Sequence, residues 1–461
     1  MILTHRTLKG LLAGAIVAVA AGSGPVYADD LAEIYNAALQ NDPVLGQARA
    51  NYLARTEVVP QSRAALLPTV SVSATTDDIQ RRFPGSSPPR PDDNFNQKSW
   101  QGQFVQPILR LDSWYQYRSA RALSDQAQSD FRTAEQNLIV RVLEAYVEVL
   151  RADALLESVD AEETAVKRQL EQVQQRFDVG LVAITDVLES RAAYDTSQVR
   201  LIQADGDHDT SFEFLRVLTG IDYRSVSRFK ETLPIVDPDP SNEEEWVKVA
   251  LEHNYTIEAA SHGLLASERN VRSQVASYMP DLDGIATYSE VSTGGQSFFG
   301  DTETRVYRLQ FSLPLYRGGS VASRIREARH RQEESRLRLE ERTRVVESTI
   351  RARFRSVTTD VLRVVARQHS IESSQAALEA TETGYEVGTR NIVDVLEAQQ
   401  RLYLSQFDYA DSRYNYVLDM LRLKETTGTL ISEDIYELNE YMDPDSSVEQ
   451  SGPERYSNVA E

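Results

Sequence analysis

The residues best suited to chemistry lie in two segments, 176–189 and 384–397, which repeat one another 208 positions apart. Asp394 and Glu397 lie three positions apart, so a helix would present both carboxylates on one face. Carboxylates in this arrangement attract cations and accept charge-assisted hydrogen bonds from arginine. The chemistry predicted for these segments is therefore electrostatic binding rather than bond making. The aligned positions that share a residue type include Gly180 with Gly388, Asp186 with Asp394 and Glu189 with Glu397.

The sequence contains no catalytic or metal-binding motif. It has no cysteine, which excludes a disulfide, a thiolate metal site and a cysteine nucleophile. Gly294, Gly295 and Gly300 lie between predicted strands rather than between a strand and a helix, so they do not predict a phosphate-binding loop. We therefore predict no catalytic residue, no cofactor and no metal, and we do not expect an enzyme. The histidines beyond the N-terminal region are scattered without an HExxH pattern, at His208, His253, His262, His330 and His369.

The chain is strongly acidic. It carries 70 acidic and 49 basic residues, which gives a formal net charge of −21. Nucleic-acid binding depends on basic patches that displace counterions from phosphates. The charge balance therefore excludes a nucleic acid as a partner.

Residues 1–28 have the pattern of a secretory signal peptide. Arg6 and Lys9 precede the apolar run 11–20, and small residues end the segment at Ala28. An uncleaved membrane anchor is the alternative, but this run is shorter than the roughly 20 residues that a membrane span needs. We predict cleavage after Ala28 and export from the cytoplasm. No later segment has about 18 uninterrupted apolar residues, so we predict no transmembrane helix in the mature chain.

Each of the two repeated segments lies at the end of a very long helical pattern. The patterns run from Leu111 to about Phe177 and from Val321 to about Thr383, and at 1.5 Å per residue each helix would be roughly 100 Å long. Their apolar positions follow a 3.5-residue repeat, which is typical of a coiled-coil seam. Two glutamines in the second seam predict looser sealing toward its end. The seam positions are Val142, Ala145, Val149, Ala152, Leu156 and Val159, then Ile350, Phe354, Val357, Val361, Val364, Gln368, Ile371, Gln375 and Leu378.

Shorter helices return from these ends. They are predicted at about 186–219 and 392–427, where Thr185 and Asn391 could cap the first free amides. Each is about half as long as its partner, so other helices must pack along the rest of each long helix. The candidates are 44–65 and 246–278.

Four segments alternate apolar and polar residues with a period of two, which predicts β-strands. Their length of about ten residues suits a membrane-crossing strand, but the smallest membrane barrels need about 8 strands. One chain therefore cannot close a barrel. Either several copies share one, or the strands form two ordinary hairpins on a soluble core. The strands are predicted at about 69–82, 98–109, 281–291 and 303–314, with loops at 83–96 and 292–302.

The two halves share more than these segments. Pro68 corresponds to Pro280, and Pro107 corresponds to Pro314, at separations of 212 and 207 positions. A period of about two hundred residues is too long for a solenoid and indicates duplicated halves. The predicted organisation is a signal peptide at 1–28, repeats at 29–240 and 241–440 with a small belt at 220–239, and a polar, disordered tail at 441–461.

This combination of features resembles the TolC family of outer-membrane efflux proteins. The features are duplicated halves, strand hairpins that begin after Leu-Pro or Met-Pro, helices of about 100 Å and Val-Gly turns. The resemblance covers essentially the whole mature chain. It implies a mostly α fold with a membrane β-barrel: a homotrimer in which each chain gives four strands to one twelve-stranded barrel, integral to the outer-membrane lipid. The helices would form a tunnel across the periplasm. The implied partners are a periplasmic adaptor protein and an inner-membrane pump of the RND or ABC class, which supplies the energy.

The resemblance also assigns roles to the turn residues. In such channels, links between helix ends hold the periplasmic end closed. An arginine fork makes directional bonds to a carboxylate, so a few such links could hold a state that can be released. Ordinary surface ion pairs, the alternative, contribute only about 0–1 kcal/mol each. The implied links are Tyr385 to Asp186, Arg390 to Thr185 of its own chain and to Asp186 of a neighbour, and Gln169 to Glu382.

Two more sets of residues follow from the resemblance. Threefold symmetry would turn Asp394 and Glu397 into two stacked acidic rings that favour cations, although the family usually has Asp at the second position. The adaptor would contact the turns themselves. The residues implied there are Gly180, Leu181, Gly388 and Thr389.

The sequence leaves two alternatives open. The cargo of such a channel could be drugs and other small molecules, or proteins secreted by a type I system. A periplasmic coiled-coil protein that forms no pore and acts as a structural or adaptor element is the competing hypothesis.

Overall fold

The computed structural model describes residues 30–85, 87, 92–294 and 299–450. The predicted signal peptide and residues 451–461 of the predicted tail lie outside the described residues. The helices, in chain order, are α1 (Leu31–Asn41), α2 (Pro43–Thr56), α3 (Val58–Ala64), α4 (Leu111–Asp178), α5 (Ile184–Thr219), α6 (Glu243–His253), α7 (Tyr255–Ala276), α8 (Ser320–Glu386), α9 (Ile392–Thr427) and α10 (Ser432–Asn439). The strands are β1 (Thr69–Arg81), β2 (Asp93–Leu109), β3 (Ser225–Phe229), β4 (Asp281–Gly294), β5 (Phe299–Ser312) and β6 (Met442–Glu449).

Two helical hairpins of matching size dominate the fold. The first pairs the 68-residue α4 with the 36-residue α5, and the second pairs the 67-residue α8 with the 36-residue α9. The long helices therefore extend about 100 Å, as the sequence predicts. A compact domain of this size cannot enclose helices of that length, so the hairpins project from the rest of the chain.

Shorter helices pack along the long ones, but each predicted segment is broken once. α2 and α3 pack on α4, and α6 and α7 pack on α8. The break between α2 and α3 falls at Glu57, three residues before Pro60, whose ring and missing amide oppose a continuous helix. The break between α6 and α7 falls at Asn254, whose side chain accepts hydrogen bonds from the amides of Thr256 and Ile257. The continuous helices predicted at 44–65 and 246–278 were wrong at these two points.

The four long strands form one antiparallel sheet in the order β1, β2, β4, β5. The central pair joins the two halves of the chain, with Gly102 of β2 opposite Tyr288 of β4. β1 and β5 are the outer strands, and each has one strand neighbour in the described chain. The sheet is open, so it leaves two unpaired edges.

The strands are longer than the loop prediction allowed. β2 begins at Asp93, which pairs with Arg81 of β1, so residues 93–96 of the predicted loop belong to a strand. β4 continues to Gly294, which pairs with Phe299 of β5. In both hairpins the backbone ladder extends past the point where the apolar alternation weakens. Pairing with the neighbouring strand therefore decides the strand ends.

The main hydrophobic core forms a belt around the middle of the long helices. It packs the central part of α4, including the fully buried Leu143, Tyr146 and Leu150, against α1, α5, α6, α9, α10, β3 and β6. On α8 the belt includes Ile350 and Val357. This core, and not only the connector at 220–239, is called the belt.

The prediction of a disordered tail was wrong for its first part. Residues Met442–Glu449 form β6, which pairs antiparallel with β3 in the connector between the halves. Met442 and Val448 are both buried in the belt. These two apolar residues anchor an otherwise polar segment, and β3 supplies its backbone hydrogen-bond partner. The local composition of the segment does not reveal that partner.

The first coiled-coil seam is confirmed, and the second differs from the prediction at its two glutamines. All six predicted seam positions of α4 are buried. On α8, Gln368 and Gln375 are exposed, whereas Asp360 and Ser374 are buried. The seven apolar positions predicted for this seam are buried or half-buried, so the difference is confined to the two glutamines.

Candidate functional site

The turn of the first hairpin, here called the first tip (residues 176–186), is shaped by its backbone. α4 ends at Asp178, and Gly180 follows with a φ of 77°, a left-handed conformation that favours glycine. The amide of Leu181 donates to the carbonyl of Arg176 at 2.8 Å, and the amide of Gly180 donates to Phe177 at 2.8 Å. This pattern is a Schellman motif, which satisfies the last free carbonyls of the helix.

The second tip (residues 384–394) repeats this motif. α8 ends at Glu386, Gly388 has a φ of 79°, and the amide of Thr389 donates to the carbonyl of Gly384 at 2.8 Å. A Cβ at Gly384 would lie 2.8 Å from Cγ of Arg390. Glycine at this position therefore lets the arginine side chain pack directly on the helix end.

The two return helices begin differently. At α9 the Asn391 side chain accepts from the amide of Asp394 at 2.9 Å, and the Asp394 carboxylate accepts from the amide of Asn391 at 3.2 Å, which is a capping box. This cap was predicted. At α5 the N-cap is Ala183, without a side-chain hydrogen bond, and Thr185 lies inside the helix. The capping role expected of Thr185 was wrong.

Arg390 lies against its own helix in the single chain. Its Nη1 is 3.9 Å from Oδ2 of Asp394, one turn further along the chain. The described residues include no bond from Arg390 to Thr185, whose hydroxyl instead lies 3.4 Å from Oδ1 of Asp186. The capping box holds the Asp394 carboxylate close to the Arg390 guanidinium. The link from Arg390 to Asp186 of a neighbouring chain stays a prediction.

Tyr385 links the two tips through its ring. The guanidinium carbon of Arg176 lies 5.0 Å from the ring centroid, within cation–π range. The hydroxyl is buried and has no hydrogen-bond partner among the described residues. Burial raises the pKa of Tyr385, the Arg176 charge opposes this rise, and the Asp186 charge adds to it. Asp186 is therefore close enough to affect Tyr385 electrostatically, although the described chain shows no hydrogen bond between them.

The remaining predicted link is also not formed in the single chain. Gln169 and Glu382 are both half-buried, and no hydrogen bond joins them in the part of the chain that the structure describes. Their role stays a prediction.

A small hydrophobic cluster holds the two hairpins together behind the tips, separate from the belt. Its buried residues come from all four hairpin helices, and Phe177 and Tyr385 pack against it. The tips are thus positioned by a local core of their own. Its buried members are Val173, Val187, Leu378, Ile392, Val395, Ala398 and Leu402.

The two carboxylates of the predicted acidic rings lie in different environments. Asp394 is half-buried and occupied by the capping box and Arg390, whereas Glu397 is exposed. Within one chain, Glu397 is therefore the carboxylate that water and ions reach more freely.

Arg176 and Gly384 are the tip residues that sequence reasoning missed. The internal repeat aligns them with each other, and each is the third residue from its helix end. That alignment was the available signal. It shows where the two positions lie but not that the arginine crosses to the other hairpin.

No metal site or helical membrane span is found in the described part of the chain. No group of three or more His, Asp or Glu side chains there could hold a metal ion. No helix among these residues is both long and apolar enough to cross a bilayer.

Comparison with known families gives a match across both halves. The family described as "Outer membrane efflux protein" matches residues 34–221 and 246–429. The outer membrane protein TolC of Vibrio cholerae is 34% identical over 421 residues, which cover 90% of this chain and 94% of that protein. The alkaline protease secretion protein AprF of Pseudomonas aeruginosa is 25% identical over 441 residues, which cover 94% and 91%.

A solved structure has the same architecture. The CmeC outer membrane channel of Campylobacter jejuni matches with a TM-score of 0.74 over 90% of both chains, at 17% identity. At that identity the likeness shows the fold, which is the TolC-like arrangement expected from the long helices and the four strands.

Proposed function

Because the chain belongs to the outer membrane efflux protein family, we propose that three copies form an exit duct through which an inner-membrane pump expels its cargo. The protein is an outer-membrane channel that extends into the periplasm and catalyses no reaction. Flow through the duct is passive, so the pump supplies the energy. A periplasmic adaptor connects the two at the helical tips.

The open sheet carries this proposal. In the described part of each chain this sheet has four strands and two unpaired edges, and a membrane-spanning sheet must close because lipid offers no hydrogen-bond partner. If β5 of one copy pairs with β1 of the next, three copies give twelve strands, above the minimum of about 8 for a membrane barrel. On β5, the side chains of Tyr307, Leu309 and Phe311 alternate along one face and are exposed in the single chain. Such a face suits lipid.

The tips are the proposed gate. Their backbone motifs and the cluster behind them fix the positions of Asp186, Tyr385 and Arg390 at the end of each hairpin. In the trimer, Arg390 leaves its exposed position over Asp394 to bond to Asp186 of the neighbour, and Tyr385 bonds to Asp186 through its hydroxyl. Gln169 and Glu382 add a third link. These links close the periplasmic end, and the adaptor opens it by contact at Gly180, Leu181, Gly388 and Thr389.

Two cargo classes fit this duct. One is drugs and other small molecules, expelled with a pump of the RND class. The other is a secreted protein that leaves through a type I system with an ABC pump, and the similarity to a protease secretion protein supports this second class. We propose that the chain serves both, because both use the same outlet.

Deletion and complementation test the proposal. A strain that lacks the gene should become more sensitive to antibiotics and should lose export of a type I substrate, and the intact gene should restore both. The purified protein should require detergent and should run as a trimer that appears as a long hollow cylinder in electron micrographs. A monomer that stays soluble in plain buffer would contradict the duct and would favour the periplasmic adaptor hypothesis.

A further inference from the structure

The contact between Arg176 and Tyr385 joins the two hairpins at their ends. Arg176 is on the last turn of α4, and Tyr385 is on the last turn of α8, 209 residues later. The guanidinium carbon lies 5.0 Å from the ring centroid. A cation at this distance from an aromatic face is attracted by the ring quadrupole, and the attraction strengthens as water is excluded.

Both partners are held in place for this contact. The carbonyl of Arg176 accepts from the amide of Leu181, and the carbonyl of Tyr385 accepts from the amide of Gly388, so the helix ends that carry them are both closed by Schellman motifs. Tyr385 also packs against the hydrophobic cluster behind the tips. Arg176 is half-buried, and no ion pair with a carboxylate is formed by it in the described chain. Its guanidinium is therefore available to the ring.

We propose that Arg176 is a positioning residue of the gate, and that its stack on the Tyr385 ring holds the second tip against the first in the closed channel. This inference rests on the proposed function, in which the tips form the gate. It assigns the tyrosine two separable duties. The hydroxyl serves the link to Asp186, and the ring face serves Arg176.

The two duties can be separated by substitution. Tyr385→Phe removes the hydroxyl and keeps the ring, whereas Tyr385→Leu removes both. Arg176→Lys keeps a positive charge, and Arg176→Gln replaces the arginine with a neutral side chain of similar length. Arg168→Gln is a matched control, because Arg168 is an exposed arginine on the same helix.

Single-channel recordings of purified trimers in planar bilayers test the stack. Arg176→Gln should raise the resting open population by about two- to thirtyfold, the range that a cation–π contact of ordinary strength allows. Arg176→Lys should keep most of the closure because it keeps the positive charge, and Arg168→Gln should have the open population of the parent. Thermal unfolding of the trimers should shift little in any of these variants, because the belt rather than the tips contains most of the core.

A double-mutant cycle gives the decisive comparison. In the Tyr385→Phe background, Arg176→Gln should still raise the open population, because the phenyl face remains. In the Tyr385→Leu background it should add nothing. If Arg176→Gln leaves conductance unchanged, or if its effect is equal in both backgrounds, the proposed role of the Arg176–Tyr385 stack is contradicted.

The failure of the gate itself would look different. If Tyr385→Phe combined with Arg390→Ser opens the channel while Arg176→Gln does not, the gate stands and the positioning role is overturned. If neither opens it, the assignment of the tips as the gate is overturned, and the positioning role falls with it.

Discussion

Oδ2 of Asp42 lies 2.6 Å from Nη2 of Arg141 and also accepts a hydrogen bond from the amide of Leu45 at 2.8 Å. One carboxylate thus caps α2 and ties it to the middle of α4. The Asp42 side chain is 1% exposed. The pair therefore lies inside the packed region where the short helices meet the long one.

Removing this carboxylate should be costly. Asp42→Ala takes away the cap and leaves the Arg141 guanidinium with only its hydrogen bond to Asn137 in the described chain, and loss of one member of a buried pair costs on the order of 3–5 kcal/mol. Thermal unfolding followed by circular dichroism should show this. Asp130→Ala removes a comparable but more exposed pair with Arg55, and it should cost less than about 1 kcal/mol. Equal effects in the two variants would contradict this account.

The same site should make the protein sensitive to acid. Burial opposes ionisation of Asp42, but the hydrogen bonds and charge of Arg141 and the Leu45 amide outweigh it and hold the pKa below its ordinary value of 3.8. A lowered pKa contributes stability that is present above pH 3.8 and is lost as the pH falls through the folded value. Asp42→Asn should abolish this part of the acid dependence. An unchanged slope of stability below pH 4 would count against the pair.

Asp360 should have the opposite effect on the pH dependence of stability. It is buried on α8 beside Asp419 of α9, with Nη1 of Arg363 2.6 Å away. Burial raises its pKa to about 6 despite Arg363, and Asp419 adds to the rise. The folded state thus binds a proton that the unfolded state has lost, so stability falls as the pH rises from 3.8 to about 6.

Asp360→Asn should therefore stabilise the protein at pH 8, on the order of 1–3 kcal/mol, and much less at pH 4. Melting temperatures of parent and variant across this range provide the measurement. Asp408→Asn, which alters a more exposed ion pair with Arg367 on the same two helices, is the control and should not stabilise the protein at pH 8. A constant difference between parent and Asp360→Asn at all pH values would refute the assigned cause.

The two predicted acidic rings should differ because Asp394 and Glu397 lie in different environments. Glu397→Gln should reduce the cation preference of the channel without changing its stability, because Glu397 is exposed. Asp394→Ala should reduce cation preference and also cost about 1 kcal/mol, because it destroys the capping box with Asn391. Reversal potentials in a salt gradient give the preference. Retained reversal potentials in the double variant would place selectivity elsewhere.

The proposed gate links should restrain the resting channel. Tyr385→Phe together with Arg390→Ser removes two of the links, so single-channel conductance in planar bilayers should rise markedly. Arg191→Ser offers a control, because Arg191 is an exposed arginine near the start of α5. Unchanged conductance in the double variant would mean that the closed end is held by other contacts.

The sequence predicted the regular parts of this fold because their signals are local and long. The heptad pattern around Val149 and the Val-Gly turn at Gly180 are encoded within a few residues, and both were confirmed. β6 could not be predicted, because its partner β3 lies more than 200 residues away. The polar composition around Met442 gave the wrong result for that reason.

The tips illustrate the same limit at the level of side chains. Asn391 caps α9 by a local rule, and the sequence shows it. Arg176 on Tyr385 is a contact between distant segments that have no complementary pattern, so only the packed hairpins show it. The predicted seam of α8 was wrong at Gln368 and Gln375, and the buried residue beside Gln375 is the polar Ser374. Hydrophobic periodicity gives no information on such positions.

The separation between the belt and the cluster behind the tips has a mechanical consequence. The last α8 residue that packs against the belt is Val361, and α8 continues for about 24 residues, or about 36 Å, before it reaches Tyr385. If α8 and its partner α9 tilt together by about 6° at the belt, their far end moves by about 4 Å over that length. That travel exceeds the span of a hydrogen bond. We therefore expect that the proposed gate can change width while the belt hardly deforms.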